Sequence, residues 1–246
     1  MKRLEGLMRR AIQEYDMIKP GDRVCVGVSG GKDSLALVVG LARVRQYMGI
    51  PFELHAVTLD PQFNDIPTDY TRLEELLAGY QVPFHVVRSN IGHVVFDVRK
   101  EPNPCALCAK MRRGLLHTTA KELGCNRVAL GHHLDDAIET FYMNLWGEGR
   151  LGCFSPVSYL SRRELYLIRP MILATEGQVI TAAKSLALPV VKNPCPADGK
   201  THRQDTKDYV TKMCAEDPAF RQKMLGALRG ADLDGWAPHS DPLNRK

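Results

Sequence analysis

The stretch Val24-Cys25-Val26-Gly27-Val28-Ser29-Gly30-Gly31-Lys32-Asp33-Ser34 decides the fold. Its apolar, β-branched beginning reads as a strand and its glycine pair as a tight turn. Lys32 and Ser34 then open the apolar segment 35–41, which reads as a helix. Strand, turn and helix in this order aim backbone N–H groups and the positive end of a helix dipole at an anion. Gly30 and Gly31 carry no Cβ, so a ligand can approach the backbone closely. Lys32 adds a compact charge suited to phosphate. The string is not a Walker A loop. That pattern needs glycine five positions before Gly31, where Val26 stands, and Ser or Thr after the lysine, where Asp33 stands.

Outward from this loop the pattern repeats. Strand-like runs at 52–59 and 82–87 are separated by a helical pattern at 71–77. A helix over 106–123, a strand over 127–130 and a helix from about 135 to 145 follow. Strands alternating with helices at this spacing predict an α/β fold with a doubly wound, mostly parallel sheet, whose ligands bind beyond the carboxyl ends of the strands. Gly27 and Gly131 would open onto one crevice. Beyond it, 165–169 and 190–191 read as short strands. Residues 175–186, 205–217 and 218–228 read as helices, the last two a helical C-terminal extension. Leu4, Leu7, Met8, Ala11, Ile12 and Tyr15 share one helical face near the N-terminus, which predicts a helix docked on the core with Arg9 and Arg10 solvated. The expected division is an N-terminal helix within 1–20, a main domain over 21–230 and a loose tail over 231–246, where Pro, Asp and Gly accumulate.

The chain has 246 residues, 44% of them hydrophobic, with 33 Lys and Arg against 28 Asp and Glu. A net charge of +5 permits nucleic-acid binding without demanding it. The start of the chain is charged rather than a signal core, and the apolar run 35–42 is too short to span a bilayer. A cytoplasmic protein without membrane attachment is expected. Seven cysteines there point to metal or redox chemistry rather than disulfides. Cys25, Cys125, Cys153 and Cys214 read as small buried hydrophobes. Cys105 and Cys108, three apart after Pro104, can both hold one ion, and Cys195 between Pro194 and Pro196 is the best third ligand. Three cysteines leave a coordination position open, which suits a reactive cluster. Zinc stays open if His202 or His132 completes the set. Lys110, Arg112 and Arg113 follow the pair, and Lys200, His202, Arg203 and Lys207 follow Cys195. Both groups read equally as solvated helix faces or as contacts to phosphates and an RNA backbone.

The string Gly131-His132-His133-Leu134-Asp135-Asp136 falls where a second strand of the same sheet ends. Ordinary helix capping accounts for its acids. They could equally organise a divalent cation such as Mg²⁺ on nucleotide phosphates.

Together these strings resemble the PP-loop ATP pyrophosphatases and, among them, the tRNA 2-thiocytidine synthetases. The resemblance runs from about Arg23 to Tyr209. It rests on residues 29–34, on Cys105 and Cys108 with Arg112-Arg113-Gly114, on residues 131–136 and on Ile168-Arg169-Pro170. It implies an enzyme that cleaves ATP to AMP and pyrophosphate, adenylates the C2 oxygen of a tRNA cytidine and replaces that oxygen with sulfur. It implies ATP held by Ser29, Gly30, Gly31, Lys32, Asp33, Ser34 and Gly131, with adenine near Leu59. Lys32, Asp33 and Asp136 would act on the phosphates and Mg²⁺. A [4Fe–4S] cluster would sit on Cys105, Cys108 and Cys195, with Arg112, Arg113, Lys200 and Arg203 near phosphate or RNA. Its partners would be tRNA and a sulfur donor such as a cysteine desulfurase, and a homodimer stays open. The family's usual form has a second CxxC at the later cysteine; here Asp198 stands three beyond Cys195. Two other readings stay open: another PP-loop enzyme, either a tRNA-uridine thiolase or an amide-forming ligase, and a nucleotide-binding iron–sulfur redox sensor. The uridine thiolases carry extra CxxC pairs, and none appears before Cys105 or after Cys195.

Overall fold

In the computed structural model, residues 1–63, 66–100, 103–191, 195, 203–231, 233 and 235–238 are described. The elements in chain order are α1 (Lys2–Glu14), β1 (Arg23–Gly27), α2 (Lys32–Val44), β2 (Glu53–Asp60), α3 (Thr71–Gly79), β3 (Phe84–Arg88) and α4 (Ile91–His93). A π-helical turn (Val94–Arg99) leads to α5 (Pro104–Glu122), β4 (Arg127–Ala129), α6 (Leu134–Glu148), β5 (Val157–Leu160) and β6 (Leu165–Ile168). The helices α7 (Glu176–Ser185), α8 (Arg203–Glu216) and α9 (Phe220–Gly230) follow.

The six strands form one sheet in the order β3-β2-β1-β4-β6-β5, parallel except for the β5–β6 hairpin. The expected doubly wound, mostly parallel sheet is therefore observed. The strand order reverses between β1 and β4, and the crevice at such a switch point is where open α/β sheets take their ligands. Alternation along β1 feeds two layers. Val24 and Val26 face a core built with α1, α2 and α7, while Cys25 faces Val57, Val128, Leu116 and Ala120 under α5. The α1 helix docks through Leu4, Met8, Ala11 and Ile12 and leaves Arg9 and Arg10 exposed, as its periodicity predicts.

Three expectations change. Residues 190–191 form no strand; Val191 instead donates its N–H to the Gly30 carbonyl at 3.0 Å, an irregular pairing that two β-branched residues alone do not announce. The antiparallel β5 was not expected. It pairs with β6 through the turn at 161–164, and only its short Val157-Ser158-Tyr159-Leu160 alternation hints at it. The tail is not loose where it is described. Trp236 is fully buried, its indole N–H donates to the Phe154 carbonyl at 3.1 Å, and its own carbonyl accepts from the Tyr15 hydroxyl at 3.3 Å. Composition argued for disorder, but one buried indole, whose removal costs about 3–5 kcal/mol, outweighs it. Of the four cysteines expected inside, Cys25 and Cys125 are buried, whereas Cys153 and Cys214 are half-buried. Burial pushes the Cys125 thiol up to about 11 and that of Cys153 to about 12.

Candidate active site

The loop after β1 is closed by its own serines. The Ser29 N–H donates to Ser34 Oγ at 3.0 Å, and Ser34 Oγ donates to the Gly31 carbonyl at 3.0 Å. The Thr58 hydroxyl on β2 donates to the Val28 carbonyl and fixes the strand end. Gly30 has φ +84°, and a Cβ there would stand 2.9 Å from Val191 Cβ, so both conformation and space require glycine. Gly31 caps α2 without a side-chain bond, which leaves the first-turn N–H groups of that helix to an anion.

The loop after β4 presses on this one. A Cβ at Gly131 would lie 3.2 Å from the Asp33 carbonyl carbon and 3.2 Å from the Ser34 nitrogen, so the two strings meet backbone to backbone. His133 caps α6. Its N–H donates to Asp136 Oδ2 at 2.9 Å, and its Nδ1 accepts the Asp136 N–H at 3.4 Å. Accepting at Nδ1 assigns the ring proton to Nε2, which faces Asp33 Oδ1 at 3.9 Å. Asp136 thus meets the capping expectation, and it also lines the pocket described next. Asp135 is different: it is buried, accepts from the Arg221 guanidinium at 2.7 Å and from the Glu176 N–H at 2.7 Å, and is structural.

Lys32, Asp33, His133, Asp136, Glu139, Glu176, Gln204 and Lys207 line a pocket of about 210 Å³. Lys32 Nζ lies 3.0 Å from Asp33 Oδ2 and 3.2 Å from Glu176 Oε1, and Lys207 Nζ reaches the same Glu176 oxygen at 2.9 Å. Burial alone would push the Lys32 ammonium down, but Asp33 and Glu176 outweigh it and hold its pKa above the usual range. Burial likewise opposes ionisation of Glu176, and Lys207 and Lys32 override it. Asp33 Oδ1 is buried without a hydrogen-bond partner among the described residues. A carboxylate oxygen left so, facing a second carboxylate across a phosphate-sized pocket, fits a hard divalent cation. The sequence reading missed Glu176, whose only signal is the Thr175-x-x-Gln178 capping box ahead of α7.

Beside the loop lies an apolar slot of about 250 Å³, bounded by Gly27, Val57, Leu59, Leu116 and Leu130 and rimmed by Arg112 and Arg113. Leu59 and both arginines therefore line one slot beside the phosphate loop. Lys200 and His202 lie outside the described residues, as does the Arg203 side chain. Arg169 is buried, stacks over Phe154 at 4.7 Å and is pulled down to about 10 by burial. The His132 ring packs on the same Phe154 at 4.8 Å.

The first turn of α5 carries Cys105, exposed, and Cys108, buried on Phe63, Ile91 and Val95. Cys195 packs half-buried on that same cluster. Burial pushes the Cys108 thiol up, Arg112 pulls it back, and Cys195 and Cys105 push it up again. Among the described residues no three His, Cys, Asp or Glu are already drawn together as a ligand set. The donor chemistry nonetheless fits a cationic iron–sulfur group. Three soft thiols share one corner, and a cation would relieve the repulsion that their thiolates feel.

A phosphate-gripping loop at the switch point of a doubly wound sheet defines the class, and residues 4–213 match the family model of the PP-loop domain. The chain is 36% identical to a tRNA-cytidine(32) 2-sulfurtransferase of Syntrophotalea carbinolica, over 92% of this chain and 88% of that one. It is 35% identical to the protein of that name from Neisseria meningitidis, over 93% of this chain and 72% of the other. The U34-tRNA thiolase NcsA from Methanococcus maripaludis, solved with its [4Fe–4S] cluster, shares the fold at a TM-score of 0.74 and 24% identity, covering 90% of this chain and 74% of that one. The NMN synthetase of Francisella tularensis shares it at 0.53 and 16% identity, covering 91% and 93%. The chain belongs to the PP-loop family, in its tRNA-cytidine(32) 2-sulfurtransferase branch, and is an enzyme. No helix among the described residues is long and apolar enough to cross a membrane.

Proposed function

We propose that this enzyme activates the C2 oxygen of a tRNA cytidine with ATP and exchanges that oxygen for sulfur. The observation that carries the reading is the backbone contact between the two loops. It draws Lys32, Asp33 and Asp136 to one pocket, next to an apolar slot and a three-cysteine corner.

The first-turn N–H groups of α2 and the loop 29–34 bind the phosphates, and adenine enters the slot against Leu59 and Leu116. Asp33 and Asp136 would hold Mg²⁺, which would supply electrostatic stabilisation, and Lys32 offsets the charge that builds on the phosphates during transfer. The cytosine O2 attacks the α-phosphorus, the bond from that phosphorus to the bridging oxygen breaks, and pyrophosphate leaves. Hydrosulfide then adds at C2, the C2–O bond breaks, and AMP departs with the original oxygen while the sulfur loses its proton to solvent. A [4Fe–4S] cluster, which Cys105, Cys108 and Cys195 would hold, would supply that sulfide. Arg112 and Arg113 line the path between slot and corner and suit the RNA backbone. The target base has to be unstacked to enter, which favours a single-stranded tRNA loop.

The test is nucleoside mass spectrometry of tRNA incubated with ATP, sulfide and protein purified without oxygen. Expected are 2-thiocytidine together with AMP and pyrophosphate, from a brown protein. ATP cleavage that produces a thiolated uridine would instead favour the uridine-thiolase reading.

A further inference from the structure

We propose that the cavity bounded by α1, α7 and α9 is a docking groove for the phosphodiester backbone of the tRNA, continuous with the active site. The inference rests on the thiolation reading and adds where the rest of the substrate lies. At about 700 Å³ this is the roomiest cavity described, more than three times the catalytic pocket. Arg3, Arg10 and Arg221 line it with Gln178, Gln222 and Thr181, no carboxylate lines it among the described residues, and Glu14 and Asp135 pair with Arg10 and Arg221 from outside it. That composition attracts anions and offers planar guanidinium and amide donors to phosphate oxygens.

The cavity shares a wall with the catalytic pocket. Thr175 and Gly177 line the cavity, while Glu176 between them lines the pocket and pairs with Lys32. Arg221 grips Asp135, whose neighbour Asp136 belongs to the catalytic pocket. From Thr175 to Thr181 and Ala182 the cavity runs about 10 Å along α7, away from the active site.

The charges of α1 supply a second argument. Lys2 and Arg3 share its first turn with Glu5, Glu14 closes its last turn, and no side chain caps its start. Glu5 complements the helix dipole, whereas Lys2, Arg3 and Glu14 oppose it. Glu5 is taken by Arg43, and Glu14 is shared by Arg10 and Arg229. Arg3 is exposed and has no carboxylate partner among the described residues. A helix that spends its acids on internal pairs and turns Arg3, free of a carboxylate among the described residues, into this groove is built to meet a polyanion.

The experiment measures binding of unmodified tRNA to the cluster-loaded full chain across a salt series. Four variants are compared with wild type: R3E/R10E, R3K/R10K, and the single reversals R3E and K121E, Lys121 lying on the last turn of α5. R3E/R10E should weaken tRNA binding roughly tenfold and flatten the salt slope by about one unit per reversed arginine. R3K/R10K should keep most of the affinity. Binding of a fluorescent ATP analogue should match wild type in both. Unchanged affinity and slope in R3E/R10E overturn the proposal, as does an equal loss in R3E and K121E. A change in oligomeric state with tRNA affinity intact would assign the groove to a second copy and also overturn it. If wild type makes 2-thiocytidine while R3E/R10E binds tRNA normally, the groove alone fails. If wild type binds tRNA through these arginines but makes none, the thiolation reading fails.

Discussion

The loop after β1 and the corner of Cys105, Cys108 and Cys195 occupy the same edge of the sheet, but different forces hold them. The loop is fixed by backbone: its serines close it, Val191 pairs with Gly30, and Gly131 rests on the Asp33–Ser34 peptide. The cysteine corner is fixed by side chains. A small apolar cluster of Phe63, Ile91, Val95 and Cys108 carries it, beside a π-helical turn. One half is set by the fold's backbone, the other by side-chain packing. On the proposed function, in which one half activates and the other delivers sulfur, each can therefore be lost separately.

The largest effects should expose that split. Cys108→Ala should abolish 2-thiocytidine formation while tRNA-dependent pyrophosphate release persists, because nothing in the phosphate loop touches that thiol. Lys32→Ala should lower both products together by about 10²–10³-fold, the usual cost of removing one donor that meets developing charge. Parallel pyrophosphate and nucleoside assays on the two variants decide it. Equal loss of pyrophosphate release in both would mean that the halves are not separable.

A smaller effect probes the contact between the loops. Gly131→Ala sets a Cβ 3.2 Å from backbone atoms of Asp33 and Ser34, and backbone yields less readily than a side-chain tip. Overpacking of this kind costs about 1–3 kcal/mol, and here it should appear as weaker ATP binding as well as a lower Tm. Cys108→Ala, which trims a buried side chain away from the loops, should leave ATP affinity unchanged whatever it does to Tm. A Gly131→Ala protein with wild-type ATP affinity would detach the two loops from each other.

What the sequence disclosed follows the same division. The Gly30-Gly31-Lys32 turn, the strand at 127–129 and the Gly131–Asp136 string were legible because backbone-built sites leave glycines and caps at fixed offsets. Cys105, Cys108 and Cys195 were grouped through chemistry alone, and the structure packs Cys108 and Cys195 on one apolar cluster. Glu176 meets Lys32 and Lys207 only because α7 and α8 pack over the crevice, and no local spacing encodes that meeting. Trp236 was hidden for the same reason: its partners Tyr15 and Phe154 are far away in the chain. The β5 strand escaped because a four-residue edge strand carries too little alternation to stand out.

The smallest expected effect lies at the opposite edge of the sheet, and it separates loss of the fold from loss of either half. His55, near the start of β2, sets Nδ1 3.3 Å from His85 Nε2 on β3, with Glu53 3.8 Å from its other nitrogen. Burial lowers the His55 pKa, the charges of His85 and Arg23 push the same way, and Glu53 opposes them. His117 on α5 is lowered too, by burial and then by Arg163 and Arg113. A histidine with a folded pKa below its unfolded value is protonated first in the unfolded chain. Its contribution is therefore complete above about pH 6.5 and is lost as pH falls from there through the folded pKa. Tm should decline on acidification below that point, and His55→Gln should flatten the decline while leaving the share of His117. ATP binding measured at pH 7.5 should be the same in His55→Gln as in wild type, since neither loop nor corner touches this pair. An acid decline that survives in the double variant His55→Gln/His117→Gln would place the sensitivity in the crevice itself and tie the two halves to one another after all.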